Sequence, residues 1–193
     1  MPITLSETFR VQAAPEVVWA FVMDPHRVAA CMPGASLDEM TDERTFAGNI
    51  RVKIGAISAT YRGRVQFVRV DEVERAVDVV AEGREAGGGT AKGTISSRLR
   101  ALAGGETEVA AEASVEVTGR IAQVGRGMVE GVSRQLFQQF VACAKASLET
   151  PGEASAEAVK RANEPVRIVP LVLRALWAAI VRFLRRLFRR SPG

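Results

Sequence analysis

The region around residues 121–148 constrains the fold more than any other, because its apolar residues recur at steps of three and four. That spacing places them on one face of a helix, which at 1.5 Å per residue would be roughly 40 Å long. The segments before it alternate apolar and polar residues, as half-buried strands do. We therefore expect one long helix to cover an antiparallel sheet. The apolar residues of this helix are Ile121, Val124, Met128, Val129, Val132, Leu136, Phe137, Phe140, Val141 and Leu148.

The same stretch contains three glycines, Gly125, Gly127 and Gly131. A glycine in a helix interior costs about 1 kcal/mol relative to alanine, so their presence needs a reason. One explanation is the close approach of a strand to the helix backbone. The other is a void between helix and sheet in which a hydrophobic ligand sits. The sequence leaves both open.

The elements before the long helix follow a simple order. Residues 3–11 predict a first strand, and Pro15 opens a helix because proline is favoured in the first turn. Asp24 caps a second short helix that begins at Pro25. About six alternating strands then precede the long helix. The predicted fold class is α+β, a helix-grip arrangement in which a curved antiparallel sheet wraps around a long C-terminal helix.

The inward positions of the predicted strands carry small residues, among them Gly48, Gly63, Gly93 and Ala113. So little side-chain volume either leaves a cavity under the helix or lets the sheet collapse onto a tight core. A cavity there would be apolar and would suit a hydrophobic ligand. The residues predicted to line it are Tyr61, Val65, Val79, Ile95, Leu99, Gly125, Met128, Gly131, Val132 and Leu136.

The chain lacks the residues that most catalytic and metal sites need. His26 is its single histidine, and Cys31 and Cys143 lie far apart in sequence, so neither a metal site nor a disulfide framework is implied. Asp24 is near His26, but capping is the expected role of its carboxylate. Tyr61 is the main polar exception on the predicted inward face. We therefore predict no catalytic residue and no metal ligand, and a pocket that binds instead of reacting.

The turn Cys31-Met32-Pro33-Gly34 follows the two short helices that cover one end of the sheet. Gly34 permits the turn to bend, and Met32 is a flexible apolar side chain suited to irregular ligand surfaces. The turn is thus the best candidate for a gate to the cavity. A plain structural turn is the alternative.

The basic charge of the chain is concentrated at its C-terminal end. Seven of the 26 basic residues, all arginine, lie in residues 165–193, so residues 1–164 hold 19 basic and 22 acidic groups and a net charge of −3. The high isoelectric point therefore does not indicate nucleic-acid binding by the domain. Helical periodicity places the arginines on one face and apolar residues on the other, as in a helix that lies in the membrane interface. The residues of this predicted membrane helix are Arg167, Arg174, Leu176, Trp177, Ile180, Arg182, Phe183, Leu184, Arg185, Arg186, Leu187, Phe188, Arg189 and Arg190.

The predicted domain organisation follows from these patterns. Residues 1–148 form a ligand-binding domain, residues 149–164 a polar linker rich in alanine and glutamate, and residues 165–193 the amphipathic tail. Each arginine of the amphipathic tail that lies near anionic lipid would contribute about 1 kcal/mol to membrane binding. Docking of the tail on a protein partner or on the domain itself is the alternative. No signal peptide is evident, so we expect the cytoplasmic compartment.

Several short motifs resemble the CoxG family of carbon monoxide dehydrogenase subunits, part of the START-like helix-grip superfamily that includes polyketide cyclases and lipid carriers. The resemblance covers about residues 1–148, and the Pro-Gly turn with its preceding cysteine is its most distinctive part. The motifs are Phe9-Arg10-Val11, Ala14-Pro15-Glu16-Val17-Val18-Trp19, Met23-Asp24-Pro25, Cys31-Met32-Pro33-Gly34-Ala35, Phe46-Ala47-Gly48, Val52-Lys53-Ile54-Gly55, Tyr61-Arg62-Gly63 and Gly119-Arg120-Ile121.

The resemblance implies an accessory protein that recruits a molybdenum hydroxylase of the CO dehydrogenase type to the cytoplasmic face of the membrane. It also implies a cavity for an apolar molecule. A respiratory quinone, menaquinone or ubiquinone, is the natural ligand, because such an enzyme must pass electrons to a carrier that lives in the bilayer. The alternative is an enzyme of the cyclase or hydratase type, or a lipid carrier, with the same fold. An enzyme of that kind would need carboxylates or histidines in the pocket.

Overall fold

The computed structural model describes residues 2–149. The predicted linker from residue 150 onward and the predicted membrane helix lie outside these residues. Within them, no helix is both long and apolar enough to cross a membrane. The elements, in chain order, are β1 (Ile3–Val11), α1 (Pro15–Val22), α2 (Pro25–Cys31), β2 (Ala35–Asp42), β3 (Thr45–Ile54), β4 (Ile57–Asp71), β5 (Ala76–Glu85), β6 (Thr90–Ala101), β7 (Thr107–Val117) and α3 (Arg126–Glu149).

All seven strands belong to one antiparallel sheet, in the order β1-β7-β6-β5-β4-β3-β2. The strands from β2 to β7 pair with their sequence neighbours, and β7 then pairs with β1. The first strand therefore closes one side of the sheet while β2 forms the opposite edge. This arrangement, with α3 against the sheet, confirms the predicted helix-grip fold.

The two short helices begin and end where their sequence signals predict. Pro15 occupies the first turn of α1. The carboxylate of Asp24 accepts hydrogen bonds from the backbone N–H groups of His26, at 3.0 Å, and Arg27, at 3.1 Å. These bonds satisfy donors that the first turn of a helix otherwise leaves without partners. Asp24 is thus a helix cap, as its position before Pro25 predicts.

The long helix begins later than its periodicity suggests. A short 3₁₀ turn spans Ala122–Val124, and Gly125 has a φ of 93°, so α3 begins at Arg126. Ile121 lies before the helix and is buried against the sheet. With 24 residues, α3 is about 36 Å long.

The cysteines correct a second expectation, because Cys31 and Cys143 form a disulfide with Cα atoms 5.3 Å apart. Cys31 ends α2, and Cys143 lies on the last turns of α3. No pattern in the sequence indicates this pairing, since 112 residues separate the two thiols. The bond joins the short helices to the long one within a buried cluster that includes Phe21 and Ala144.

Candidate functional site

The sheet face that α3 covers is packed at its two ends and open in its middle. At one end, Ile3, Ile54 and Tyr61 are buried with Val129 of α3. At the other, separate buried clusters form around α1 and α2. Between them lies Ile95, which is 36% exposed although it shares a face with Leu99, only 5% exposed.

The neighbours of Ile95 are also incompletely covered. Its cross-strand partners are Val79 on β5 and Ala113 on β7, and both are half-buried. Val65, two positions from buried Phe67 on β4, is half-buried as well. Together these side chains form an accessible apolar surface on the face that α3 covers.

The position of α3 accounts for this exposure. The helix contacts the sheet mainly at β1 and β3, near its two edges. At β1, Phe137 packs edge-on against Phe9 with ring centroids 6.4 Å apart. The strands that carry Val79 and Ile95 lie in the middle of the sheet, between these supports.

The structure places the predicted pocket residues in three groups. Val65 and Ile95 lie in the open middle, and half-buried Val79 borders it, packed against the Phe67 cluster. Tyr61 and Leu99 are buried at opposite ends of the same face. On α3, Val132 and Leu136 are half-buried, and Val132 packs against the cluster around Tyr61. The third group, Gly125, Met128 and Gly131, is exposed.

The exposed group requires a correction. The buried positions of α3 include Val129, Cys143 and Ala144, and Gly131 is exposed on the opposite side of the helix. Met128 is 55% exposed. A Cβ at Gly125, Gly127 or Gly131 would meet no atom within 4 Å. These glycines therefore neither admit a strand nor open a void beneath the helix, and both sequence-based explanations of them are wrong.

The glycines of the sheet serve two different purposes. A Cβ at Gly63 would lie 1.8 Å from the carbonyl oxygen of Glu82, and one at Gly48 would lie 2.5 Å from that of Ser36. At these two positions only glycine fits, because a neighbouring strand's backbone lies too close for a side chain. A Cβ at Gly93, by contrast, would meet only Ala81, at 3.9 Å, and a carbonyl oxygen at 4.0 Å. Gly93 pairs with Ala81 and lies two residues before Ile95 on the same face of β6. The absence of a side chain at Gly93 therefore adds room to the open middle.

A polar cluster lies at the Tyr61 end of this face, and sequence analysis missed two of its three members. Tyr61 on β4 is the cross-strand partner of Glu85 on β5. Glu85 is only 8% exposed, and its Oε1 accepts a hydrogen bond from Arg120, which precedes α3. The expectation that Tyr61 is the main polar residue of the inward face is therefore wrong. Continuing the alternation of β5 from Ala81 through Gly83 would have placed Glu85 on that face.

Two atoms of this cluster have no hydrogen-bond partner among the described residues, the Tyr61 hydroxyl and Glu85 Oε2. Leaving a buried polar atom unpaired costs about 1–3 kcal/mol. Burial, and then the negative charge of Glu85, raise the pKa of Tyr61 above its ordinary value, while Arg120 acts in the opposite direction. The Tyr61 hydroxyl thus keeps its proton at neutral pH and is a donor.

The proposed gate turn is fixed by backbone contacts. The Arg51 N–H donates to the Gly34 carbonyl at 2.8 Å, and the Ala35 N–H donates to the Met32 carbonyl at 3.1 Å. Gly34 has a φ of 79°, and a Cβ there would lie 2.3 Å from the Arg51 carbonyl oxygen. Cys31 and Pro33 are buried. The conformation and packing of the turn thus require glycine at position 34. This favours a plain structural turn over a gate.

Solved structures that include a START superfamily protein share the helix-grip fold of this chain. A conserved protein from Geobacillus kaustophilus has a TM-score of 0.69 and 20% identity, covering 76% of this chain and 95% of its own. A START superfamily protein from Mycobacterium smegmatis has a TM-score of 0.55 and 17% identity over 76% and 97%. ZhuI aromatase/cyclase from Streptomyces sp. R1128 has a TM-score of 0.54 and 16% identity over 83% and 96%. At these identities the likeness concerns the fold.

The family is defined by the sequence. Residues 8–149 match the family model of CoxG, a subunit of carbon monoxide dehydrogenase, and the chain belongs to that family. The match covers β1 from its middle onward and every later element through α3. No curated protein matches the chain. Among the described residues, no group of three or more histidine, cysteine, aspartate or glutamate side chains is placed to hold a metal ion.

Proposed function

We propose that this chain is a non-catalytic carrier that binds an apolar ligand between α3 and the middle of its sheet. The observation that carries the proposal is the 36% exposure of Ile95 on a face whose two ends are buried. Val65, Val79 and Ala113 extend this accessible apolar surface across four neighbouring strands. Half-buried Val132 and Leu136 supply the helix side of the cavity.

A respiratory quinone, menaquinone or ubiquinone, is the ligand that best fits this cavity and the family. Its ring and isoprenoid chain are apolar, and the open middle of the sheet is lined by aliphatic side chains. When bound, a quinone would supply an acceptor for two electrons and two protons. The chain's own residues would enclose it and exclude water. The carrier would serve a molybdenum hydroxylase of the CO dehydrogenase type, in keeping with the family to which the chain belongs.

The amphipathic tail is proposed to hold the carrier at the cytoplasmic face of the membrane. The tail carries seven arginines, whereas residues 1–164 carry a net charge of −3. Anionic lipid would therefore attract the tail more strongly than the domain. The polar stretch before it allows the domain to stand away from the bilayer. The carrier would then take its ligand from the membrane that holds it.

Sedimentation with anionic phospholipid vesicles that contain menaquinone tests both parts. We expect the full chain to pellet with the vesicles. A chain that ends at Glu164 should stay in the supernatant, melt at an unchanged temperature, and carry extractable menaquinone with it. A truncated chain that still pellets would contradict the tether. A supernatant chain without quinone would contradict the carrier.

A second candidate function is catalysis of the cyclase or hydratase type, which the buried carboxylate of Glu85 beside Tyr61 favours. A carboxylate and a protonated hydroxyl are the groups that general acid–base chemistry requires. Oε1 of Glu85 instead accepts from Arg120 and is not free to act on a substrate, which supports the carrier. Recovery of a bound aromatic polyketide in chemically altered form would favour the enzyme, and recovery of unaltered ligand favours the carrier.

A further inference from the structure

The polar cluster at the Tyr61 end of the covered face has more hydrogen-bonding capacity than residues 2–149 use. Oε1 of Glu85 accepts a hydrogen bond from Arg120, whereas Oε2 and the Tyr61 hydroxyl have no partner among the described residues. Both residues are more than nine-tenths buried, with exposures of 8% and 4%. They are direct cross-strand partners, so the two groups lie on the same face of adjacent strands.

The surroundings of Glu85 hold its carboxylate in place. The glycine turn after β5 folds over it, and a Cβ at Gly89 would lie 3.2 Å from Glu85 Oε2 and 2.9 Å from the Thr118 carbonyl oxygen. A Cβ at Gly87 would lie 3.6 Å from the carboxyl group and from Arg120 Nε. The turn therefore packs closely against the acid, and Arg120 completes the enclosure.

A structural ion pair alone explains only part of this arrangement. It accounts for Arg120 and Oε1, because the pair ties the β5–β6 turn to the segment before α3. It leaves no role for Oε2 or for the Tyr61 hydroxyl, and phenylalanine at position 61 would fill the same place without an unpaired donor. One donor and one acceptor on cross-strand partners match a group that both accepts and donates a hydrogen bond.

We propose that Tyr61 and Glu85 form a polar subsite for a hydroxyl group on the apolar ligand. The tyrosine donates to the hydroxyl oxygen, and Glu85 Oε2 accepts the hydroxyl hydrogen. This inference rests on the proposed function, since the apolar body of the ligand would lie in the open middle of the sheet, against Val65 and Val132, with its hydroxyl group at Tyr61. Entry to the subsite requires a side chain to move, and Arg120, whose side chain is 58% exposed, is the outermost member of the cluster.

The subsite distinguishes the two redox forms of a quinone. A hydroquinone presents a hydroxyl group and satisfies both Tyr61 and Glu85. The oxidised form presents a carbonyl oxygen, which accepts from Tyr61 and leaves Oε2 unpaired. Because a hydrogen bond to a charged acceptor is among the stronger ones in proteins, the carrier should bind the reduced form about tenfold more tightly or better.

Stable aromatic probes test the subsite without redox chemistry. 2-Methyl-1-naphthol carries a hydroxyl group, and its methyl ether keeps the oxygen but has no hydrogen to donate. Fluorescence titration of the full chain is expected to give about tenfold tighter binding of the naphthol than of the ether. In Tyr61→Phe both probes should bind about fivefold more weakly, because both oxygens accept from the tyrosine, while the naphthol preference remains and the melting temperature does not fall.

Two further variants separate the subsite from the ion pair. Glu85→Gln removes the charged acceptor of the hydroxyl hydrogen and, unlike Tyr61→Phe, should lose most of the naphthol preference. Arg120→Gln breaks the same ion pair but keeps Glu85, and it should retain the preference even if it melts lower. Equal binding of naphthol and ether to the unaltered chain would overturn the subsite and leave the carrier standing. Failure of both probes to bind would overturn the carrier and the subsite together.

Discussion

At the scale of single residues, two glycines on neighbouring parts of the sheet differ in what they permit. Gly63 lies against the backbone of β5, and no side chain fits there without moving a strand. Gly93 faces Ala81 across ordinary van der Waals distance, so a side chain added there extends into the open middle. A side chain can therefore be added at Gly93, whereas at Gly63 it would collide with the backbone of β5.

Replacing Gly93 with leucine should fill the cavity. We expect Gly93→Leu to weaken quinone binding by about tenfold or more, because forcing extra methylenes into a filled site costs about 1–3 kcal/mol. Gly131→Leu makes the same chemical change on the exposed side of α3 and is the matched control, with binding unchanged. Titration of both variants with a short-chain naphthoquinone checks this. Equal weakening by the two changes would place the ligand elsewhere.

Alternation along the strands correctly placed Tyr61 and Leu99 on the covered face, because strand geometry leaves only two sides. The glycines of α3 were misplaced because glycine has no hydrophobic signal and Met128 broadened the apparent apolar face. Glu85 was missed because a charged residue at the end of a strand is usually solvated. Its burial depends on Arg120, a partner 35 positions away.

At the scale of elements, the disulfide fixes the short helices to the long one. It closes a loop of 112 residues between α2 and α3, which contains every strand except β1. Cross-links of this span restrict the unfolded chain strongly and typically contribute about 2–4 kcal/mol to stability. A disulfide is unusual in the reducing cytoplasm, where the sequence led us to place the chain.

Removing the bond should therefore lower stability without changing the fold. We expect Cys143→Ser to reduce the free energy of unfolding by about 2–4 kcal/mol in urea, because the unfolded chain gains conformational freedom. The unaltered chain treated with reductant should show the same loss, and intact mass after alkylation reports whether both thiols were paired at the outset. Equal stability before and after reduction would mean that the bond contributes nothing.

Element boundaries were the weaker part of the sequence-based prediction. The chain order of strand, two helices, further strands and long helix was correct, because capping residues and alternation are local signals. Strand β2 has only three apolar residues, Ala35, Leu37 and Met40, so its own sequence is a weak strand signal. Its place at the edge of the sheet comes from its pairing with β3. The start of α3 was set too early because Ile121 continues the apolar spacing although it lies in the preceding turn.

At the scale of the whole molecule, α3 rests near the two edges of the sheet and leaves apolar side chains of the middle strands accessible. In our proposal, residues 2–149 supply the ligand site and its polar end, and the predicted membrane helix beyond them supplies the attachment to the membrane. Such a division of tasks would let a ligand pass from the bilayer to a domain held beside it.

Native mass spectrometry of the full chain, purified from membranes in mild detergent, tests most directly whether the cavity holds a quinone. We expect a population whose mass exceeds that of the chain by one menaquinone or ubiquinone, and Gly93→Leu should lose most of that population while Gly131→Leu keeps it. A chain that carries no adduct, or only phospholipid that is equally abundant in Gly93→Leu, would contradict a quinone-binding cavity between α3 and the sheet.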